Sequence, residues 1–100
     1  MVEVRQTKRF VRWLAGLRDL RARAKVLARI ERLIGGNPGD VKPVGAGVSE
    51  LRINYGPGYR VYYLQRGTAL IILLAGGDNS SQAKDIDEAF LLADNLTEET

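Results

Sequence analysis

The sequence contains no cysteine and no histidine among its 100 residues. Without cysteine it has no disulfide, no thiolate nucleophile and no cysteine-based zinc site. Without histidine it lacks the commonest general base and the commonest transition-metal ligand. Any acid–base chemistry must therefore use lysine, arginine, tyrosine, aspartate or glutamate.

The sequence also lacks a long hydrophobic run. Charged residues follow Met1 with no apolar signal region, and the apolar run at residues 69–75 is far shorter than a bilayer requires. We therefore expect a cytoplasmic protein without a membrane segment. Its composition, 45% hydrophobic and 27% charged, predicts one globular domain over residues 1–100.

Charge is spread unevenly along the chain, although the net charge is only +3. Residues 5–32 hold ten of the fifteen lysines and arginines and only two acidic residues. From Lys84 onward the balance reverses, with six acidic residues against one lysine. The N-terminal half is therefore suited to a polyanion or an acidic partner.

Hydrophobic periodicity and turn residues predict an α+β fold with a small, mostly antiparallel sheet. The predicted strands are residues 2–6, 41–44, 48–55, 59–65 and 69–75, the last buried on both faces. Thr7 and Asp19 are predicted caps of two helices, the second over residues 20–34, which form an N-terminal helical hairpin. A C-terminal helix follows, with Asn79 or Ser80 as its cap.

The second helix has two opposite stripes in its sequence. The apolar stripe, predicted to pack on the sheet, consists of Leu20, Ala24, Leu27, Ile30 and Ile34. The basic stripe consists of Arg21, Lys25, Arg29 and Arg32. Its charges suit contact with RNA phosphates or an acidic protein, but they also suit a helix face that is simply solvated.

Two arginines are predicted to lie side by side in the sheet. A hairpin that turns at residues 56–58 places Arg52 opposite Arg60 on neighbouring strands. Because opposed like charges are destabilising, this pair needs an explanation. Either an anion lies between the two guanidinium groups, or an acidic group such as Glu50 or Asp78 neutralises one of them. The pattern leaves both alternatives open.

The segments LRINYGPGYRVYY and LLAGGDNSSQAKDIDEAF resemble the RelE/ParE superfamily of toxins from type II toxin–antitoxin modules. The similarity is greatest to the HigB-like group of addiction module killer proteins. It implies a ribosome-dependent mRNA endoribonuclease that needs neither metal nor cofactor. It also implies a cognate HigA-like antitoxin with a helix-turn-helix domain, through which alone the toxin would meet operator DNA.

The resemblance also implies roles for particular residues. Arg60, in the GYR motif, matches the strand arginine of the family and would clamp the scissile phosphate. Arg52 occupies the neighbouring basic position, and Lys84 lies where the family commonly has another basic group. Tyr62 is a further catalytic candidate, although a tyrosine on this strand also suits core packing.

The sequence departs from several relatives, which use a C-terminal histidine or tyrosine. This chain has no histidine and no tyrosine after Tyr63. ParE-type members share the fold, lack the nuclease residues and inhibit DNA gyrase by protein contact. A gyrase inhibitor is therefore the alternative expectation, and an inactive relative that serves as a repressor partner is a third.

Overall fold

The computed structural model describes residues 2–99 of the chain and the side chains of residues 2–96. It confirms the predicted α+β fold. In order, the elements are β1 (Glu3–Gln6), α1 (Lys8–Ala15), α2 (Leu20–Ile34), β2 (Val41–Gly45), β3 (Val48–Ile53), β4 (Tyr59–Arg66), β5 (Leu70–Gly77), a 3-10 turn (Asn79–Ser81) and α3 (Gln82–Glu99). None of the described helices is long and apolar enough to cross a membrane.

The five strands form one sheet in the order β1-β5-β4-β3-β2. The strands from β2 to β5 pair antiparallel along the chain, whereas β1 pairs parallel with β5. Strand β5 is central between β1 and β4, and its residues from Ile71 to Gly77 are buried, as the polar-free run predicted. Because helices cover both faces of the sheet, neither face of β5 contacts water and the strand carries no polar side chains there.

The helices cover both faces of the sheet. On one face Phe10 of α1 and Val26 and Leu33 of α2 pack in a cluster with inward residues of β3, β4 and β5. On the other face Ala89 and Ala93 of α3 pack in a second cluster with the opposite side chains of the same strands. The alternation of side chains along β3 and β4 separates these two cores.

Side chains fix where α1 and α2 begin. The Thr7 hydroxyl accepts a hydrogen bond from the Phe10 N–H at 3.0 Å and donates one to the Leu74 carbonyl at 2.5 Å, so it also ties α1 to β5. The Asp19 carboxylate accepts from the first backbone N–H groups of α2, including that of Ala22 at 3.2 Å. Both predicted caps are confirmed.

The predicted cap of the C-terminal helix is wrong. Asp78, rather than Asn79 or Ser80, accepts the Ser80 N–H at 2.8 Å and opens the 3-10 turn that leads into α3. A cap residue needs extended backbone, which Asp78 has with φ −126° and ψ −174°. Asn79 already lies within the turn, and its side chain accepts from Arg60 instead.

The predicted apolar stripe of α2 is also wrong. The buried residues of α2 are Ala22, Val26, Ile30 and Leu33. Leu20, by contrast, is 73% exposed. The two stripes share Ile30 and differ by about 100° of rotation, one residue's step around a helix. As a result the basic stripe borders the sheet instead of lying opposite it.

Gly76 allows close packing of α1 on β5. A Cβ at this position would lie 2.1 Å from the Trp13 ring, which is held in the packed interface. We expect Gly76→Ala to lower the free energy of unfolding by about 1–3 kcal/mol or more, because the ring must move. Urea unfolding measures this. Gly35→Ala is the control, since its nearest contact would be 3.5 Å, and equal stability of both variants would contradict this packing.

Candidate functional site

The predicted arginine pair is confirmed, since Arg52 of β3 lies directly opposite Arg60 of β4. Both side chains lie on the α3 face of the sheet, near the start of that helix. The Arg60 guanidinium donates to Asn79 Oδ1 at 3.0 Å, just before α3. The pair therefore sits where the β3–β4 hairpin meets the first turn of α3.

A buried carboxylate lies beneath the two arginines. Glu50 of β3 is 0% exposed, and its Oε1 lies 3.4 Å from Arg60 Nε and 3.6 Å from Arg52 Nε. Its other oxygen accepts from Gln82 Nε2 of α3 at 2.9 Å. Of the two explanations that the sequence left open, the structure therefore provides the acidic neighbour, and it is Glu50. Because one carboxylate serves two guanidinium groups, one positive charge is left over.

Asp78, the other acidic candidate, serves the backbone instead. The Ser80 hydroxyl and then the Ser80 N–H donate to its carboxylate, and these bonds lower the pKa of Asp78. The charge of Arg60 has a smaller effect in the same direction. Asp78 therefore shapes the turn that carries Asn79 to Arg60.

The two arginines differ in exposure. The side chain of Arg60 is 12% exposed and that of Arg52 is 43% exposed. They line an open cleft of about 280 Å³ at this end of the sheet. The other lining residues are Asp40, Ile53, Asn54, Gly58 and Tyr59. The cleft therefore offers a fixed guanidinium, a more exposed one and a single carboxylate, that of Asp40.

A second hollow of about 330 Å³ adjoins this cleft and shares Ile53 and Asn54 with it. Its remaining lining comes from α2, namely Lys25, Ala28, Arg29 and Arg32. Lys25 and Arg32 are exposed. We call Lys25, Arg32, Arg52 and Arg60 the basic track. Arg21 is exposed further toward the start of α2 and lines neither hollow.

Arg29 does not act as a free surface charge. Its guanidinium donates to the carbonyls of Arg52 at 2.6 Å, Pro38 at 2.9 Å and Asp40 at 3.3 Å. The rotation of α2 brings this arginine to the sheet, where it holds β3 and the loop before β2. The predicted contact of Arg29 with RNA or an antitoxin stays a prediction, but its guanidinium is already engaged within the protein.

Tyr55 links the β3–β4 turn to α2. Its hydroxyl donates to Asp19 Oδ2 at 3.0 Å, and Lys25 Nζ lies 5.3 Å from its ring centroid. The backbone N–H of Ala22 chiefly lowers the pKa of Asp19, and the Tyr55 hydroxyl adds to this shift. In return the hydrogen bond to Asp19 raises the pKa of Tyr55. These contacts fix one end of the basic track.

Two predicted catalytic residues do not line the cleft. Tyr62 is 0% exposed in the α3 core, where burial and then the charge of Glu50 raise its pKa strongly. It packs the core and does not reach the surface. Lys84 is exposed on α3, two residues after Gln82 and so about 200° around the helix from that sheet-facing side chain. Neither of these catalytic candidates lines the arginine cleft.

Some site residues escaped the sequence prediction. Arg60 pairs with Gly77 across β4 and β5, so polar residues just after Gly77 lie near Arg60. That signal could have found Asn79 and Gln82. Asp40 lies outside the predicted strands, whereas Asn54 belongs to the predicted strand over residues 48–55 and follows directly after β3, which ends at Ile53. Among residues 2–96, no group of three or more His, Cys, Asp or Glu is arranged to hold a metal ion.

The chain is 52% identical over 95 residues to a protein of Haemophilus influenzae that is described as an uncharacterized protein. The similarity covers 95% of this chain and 96% of the Haemophilus protein. The chain belongs to the same family as this protein. No protein-family model matches the chain. Because the similarity covers nearly the whole of both chains, we expect the Haemophilus protein to share the fold.

Arg29→Ala should destabilise the protein by about 2 kcal/mol or more, because three carbonyls lose a charged hydrogen-bond donor. Arg32→Ala, on the exposed part of the same stripe, should change the free energy of unfolding by less than about 0.5 kcal/mol. Urea unfolding of the two variants measures the difference. Equal stability would show that Arg29 is a surface charge after all.

Proposed function

We propose that this protein is the toxin of a type II toxin–antitoxin module and acts as a ribosome-dependent mRNA endoribonuclease. The observation that carries the proposal is the Arg52–Arg60 pair, which lines an open cleft above the buried carboxylate of Glu50. Forked, permanently charged guanidinium groups suit phosphate oxygens. The resemblance to RelE/ParE toxins supports the class of target.

The basic track supports an extended nucleic-acid ligand more than a small anion. Lys25 and Arg32 border the hollow on the α2 face of the sheet, which shares Ile53 and Asn54 with the arginine cleft, so a phosphate chain that passes around the end of β3 would continue along α2. Arg21 extends the positive charge toward the start of the same helix. In this proposal the track contacts mRNA or ribosomal RNA in the cytoplasm. It also attracts the acidic segment of a HigA-like helix-turn-helix antitoxin, and operator DNA is met only through that antitoxin.

The proposed reaction uses the RNA itself as nucleophile. The ribose 2′-oxygen forms a bond to the adjacent phosphorus while the bond to the 5′-oxygen breaks, which leaves a cyclic phosphate and a free 5′-hydroxyl. Arg52 and Arg60 stabilise the extra negative charge on the phosphate oxygens. Asp40 is the carboxylate among the cleft residues and is the proposed acceptor of the 2′-hydroxyl proton. The departing 5′-oxygen takes up a proton from water.

Arg60→Ala should abolish growth arrest when the protein is expressed without an antitoxin, because the fixed guanidinium of the cleft is lost. We expect Arg52→Ala to weaken arrest by at least about tenfold in the inducer needed, the effect of roughly one lost electrostatic contact. Arg66→Ala is the matched control, since this exposed arginine lies at the other end of β4. Full toxicity of Arg60→Ala with a normal fold would contradict the site.

A non-enzymatic inhibitor of DNA gyrase is the second candidate. It is favoured by the placement of Tyr62 and Lys84, neither of which lines the cleft, so the predicted proton-transfer groups are missing from it. The two functions differ in a paired assay. An endoribonuclease should give mRNA cuts, mapped by primer extension, only when ribosomes are present. A gyrase inhibitor should block supercoiling and leave mRNA intact.

A further inference from the structure

We propose that Glu50 is the positioning residue of this site, and that its buried carboxylate holds the Arg60 guanidinium in the one orientation that stabilises the reacting phosphate. The effect on RNA cleavage rests on the proposed function. The orientation of the guanidinium does not, and it can be measured without any ligand.

Stability alone does not account for a carboxylate at this position. Glu50 is fully buried in the interior of β3 and borders the apolar core under α3. Burying an ion pair is costly, and a well-packed apolar side chain of similar size is often at least as stable. The carboxylate contacts Arg52 and Arg60, which line the cleft, and Gln82 of α3. The contacts of the Glu50 carboxylate are therefore those expected of a residue that orients the arginines of the cleft.

The contacts of Arg60 define a plane. Its Nε faces Glu50 Oε1 at 3.4 Å, and its Nη1 donates to Asn79 Oδ1 at 3.0 Å. Because the guanidinium is a rigid planar fork, the hydrogen bond at Nη1 and the ion-pair contact at Nε, which is not a hydrogen bond, together limit the directions of the remaining N–H groups. Arg52 has only the longer contact of 3.6 Å and is far more exposed, so it can adjust to a bound phosphate.

The Glu50 carboxylate is itself held in place by a residue of α3. Gln82 Nε2 donates to Glu50 Oε2 at 2.9 Å, so the carboxylate is oriented by α3 and does not depend on the arginines alone. The path from α3 through Gln82 and Glu50 to Arg60 joins a helix to the floor of the cleft. Loss of Glu50 should release Arg60 even though the arginine itself is retained.

Charge and orientation predict opposite effects when Glu50 is neutralised. Glu50→Gln raises the positive charge of the cleft, so electrostatics alone would give equal or tighter RNA binding and equal or faster cleavage. If Glu50 positions Arg60, cleavage falls while RNA binding does not. We expect kcat to drop by about 10- to 100-fold, the range typical when an outer partner that orients a site is lost.

The test uses the full chain and has two readouts. The first is the NMR signal of the Arg60 Nε–H, assigned with Arg60→Lys, in wild type and in Glu50→Gln. A distinct wild-type signal that joins the averaged signals of exposed arginines in Glu50→Gln supports the proposal. Glu31→Gln, which removes an exposed charge from α2, is the matched control and should leave the signal unchanged. An unchanged Arg60 signal in Glu50→Gln would overturn the proposal.

The second readout is cleavage of mRNA on programmed ribosomes, with kcat and KM measured separately. Glu50→Gln should lower kcat in the wild-type background but add nothing in Arg60→Ala, because a residue that acts through Arg60 has no effect without it. An equal fall in both backgrounds, or unchanged kcat, would refute positioning through Arg60. If wild type cleaves nothing, the proposed function fails, and the NMR signal still decides the positioning.

Should Glu50→Gln not fold, Gln82→Ala gives the same answer. This variant keeps the charges of Glu50 and Arg60 but removes the hydrogen bond that orients the Glu50 carboxylate. We expect it to shift and broaden the Arg60 Nε–H signal in the same direction, to a smaller extent. A Gln82→Ala variant whose Arg60 signal and kcat equal those of wild type would overturn the proposal.

Discussion

The shared carboxylate of Glu50 is the interaction on which both the sheet and the site depend. Strands β3 and β4 place two arginines directly opposite each other, an arrangement that repels unless an anion lies close by. Glu50 supplies that anion from within the protein, and Gln82 fixes it from α3. The same contact therefore permits the strand register, joins the sheet to the helix layer and shapes the floor of the cleft.

Much of the fold could be predicted because its signals are local. The turn at residues 56–58 fixed the register that places Arg52 opposite Arg60, and the hydroxyl of Thr7 and the carboxylate of Asp19 marked two helix starts. The rotation of α2 could not be predicted in this way. Ala22 is a weak hydrophobic signal although it is fully buried, and Leu20 is a strong one although it is exposed.

The site was predicted less completely, because helix rotation decides which side chains reach it. Because of the actual rotation of α2, Arg29 is not a free surface charge but supports β3 and the loop before β2. On α3 the helix begins after a cap at Asp78, and this sets Gln82 toward the sheet and Lys84 away from it. A one-residue difference in the phase of a helix moves a side chain by about 100° around the helix axis. The hydrophobic pattern of a short helix does not fix its phase to within one residue.

The parallel pairing of β1 with β5 has a consequence for how the chain folds. Thr7 and Leu74, which are joined by a hydrogen bond, stand 67 positions apart in the sequence. Such a contact closes a long loop, and non-local contacts of this kind slow folding. The strands from β2 to β5 can pair with their neighbours in sequence, whereas β1 and α1 have no surface to pack on until β5 has been made. During synthesis β1 and α1 are thus the first elements to leave the ribosome and among the last to pack into the fold.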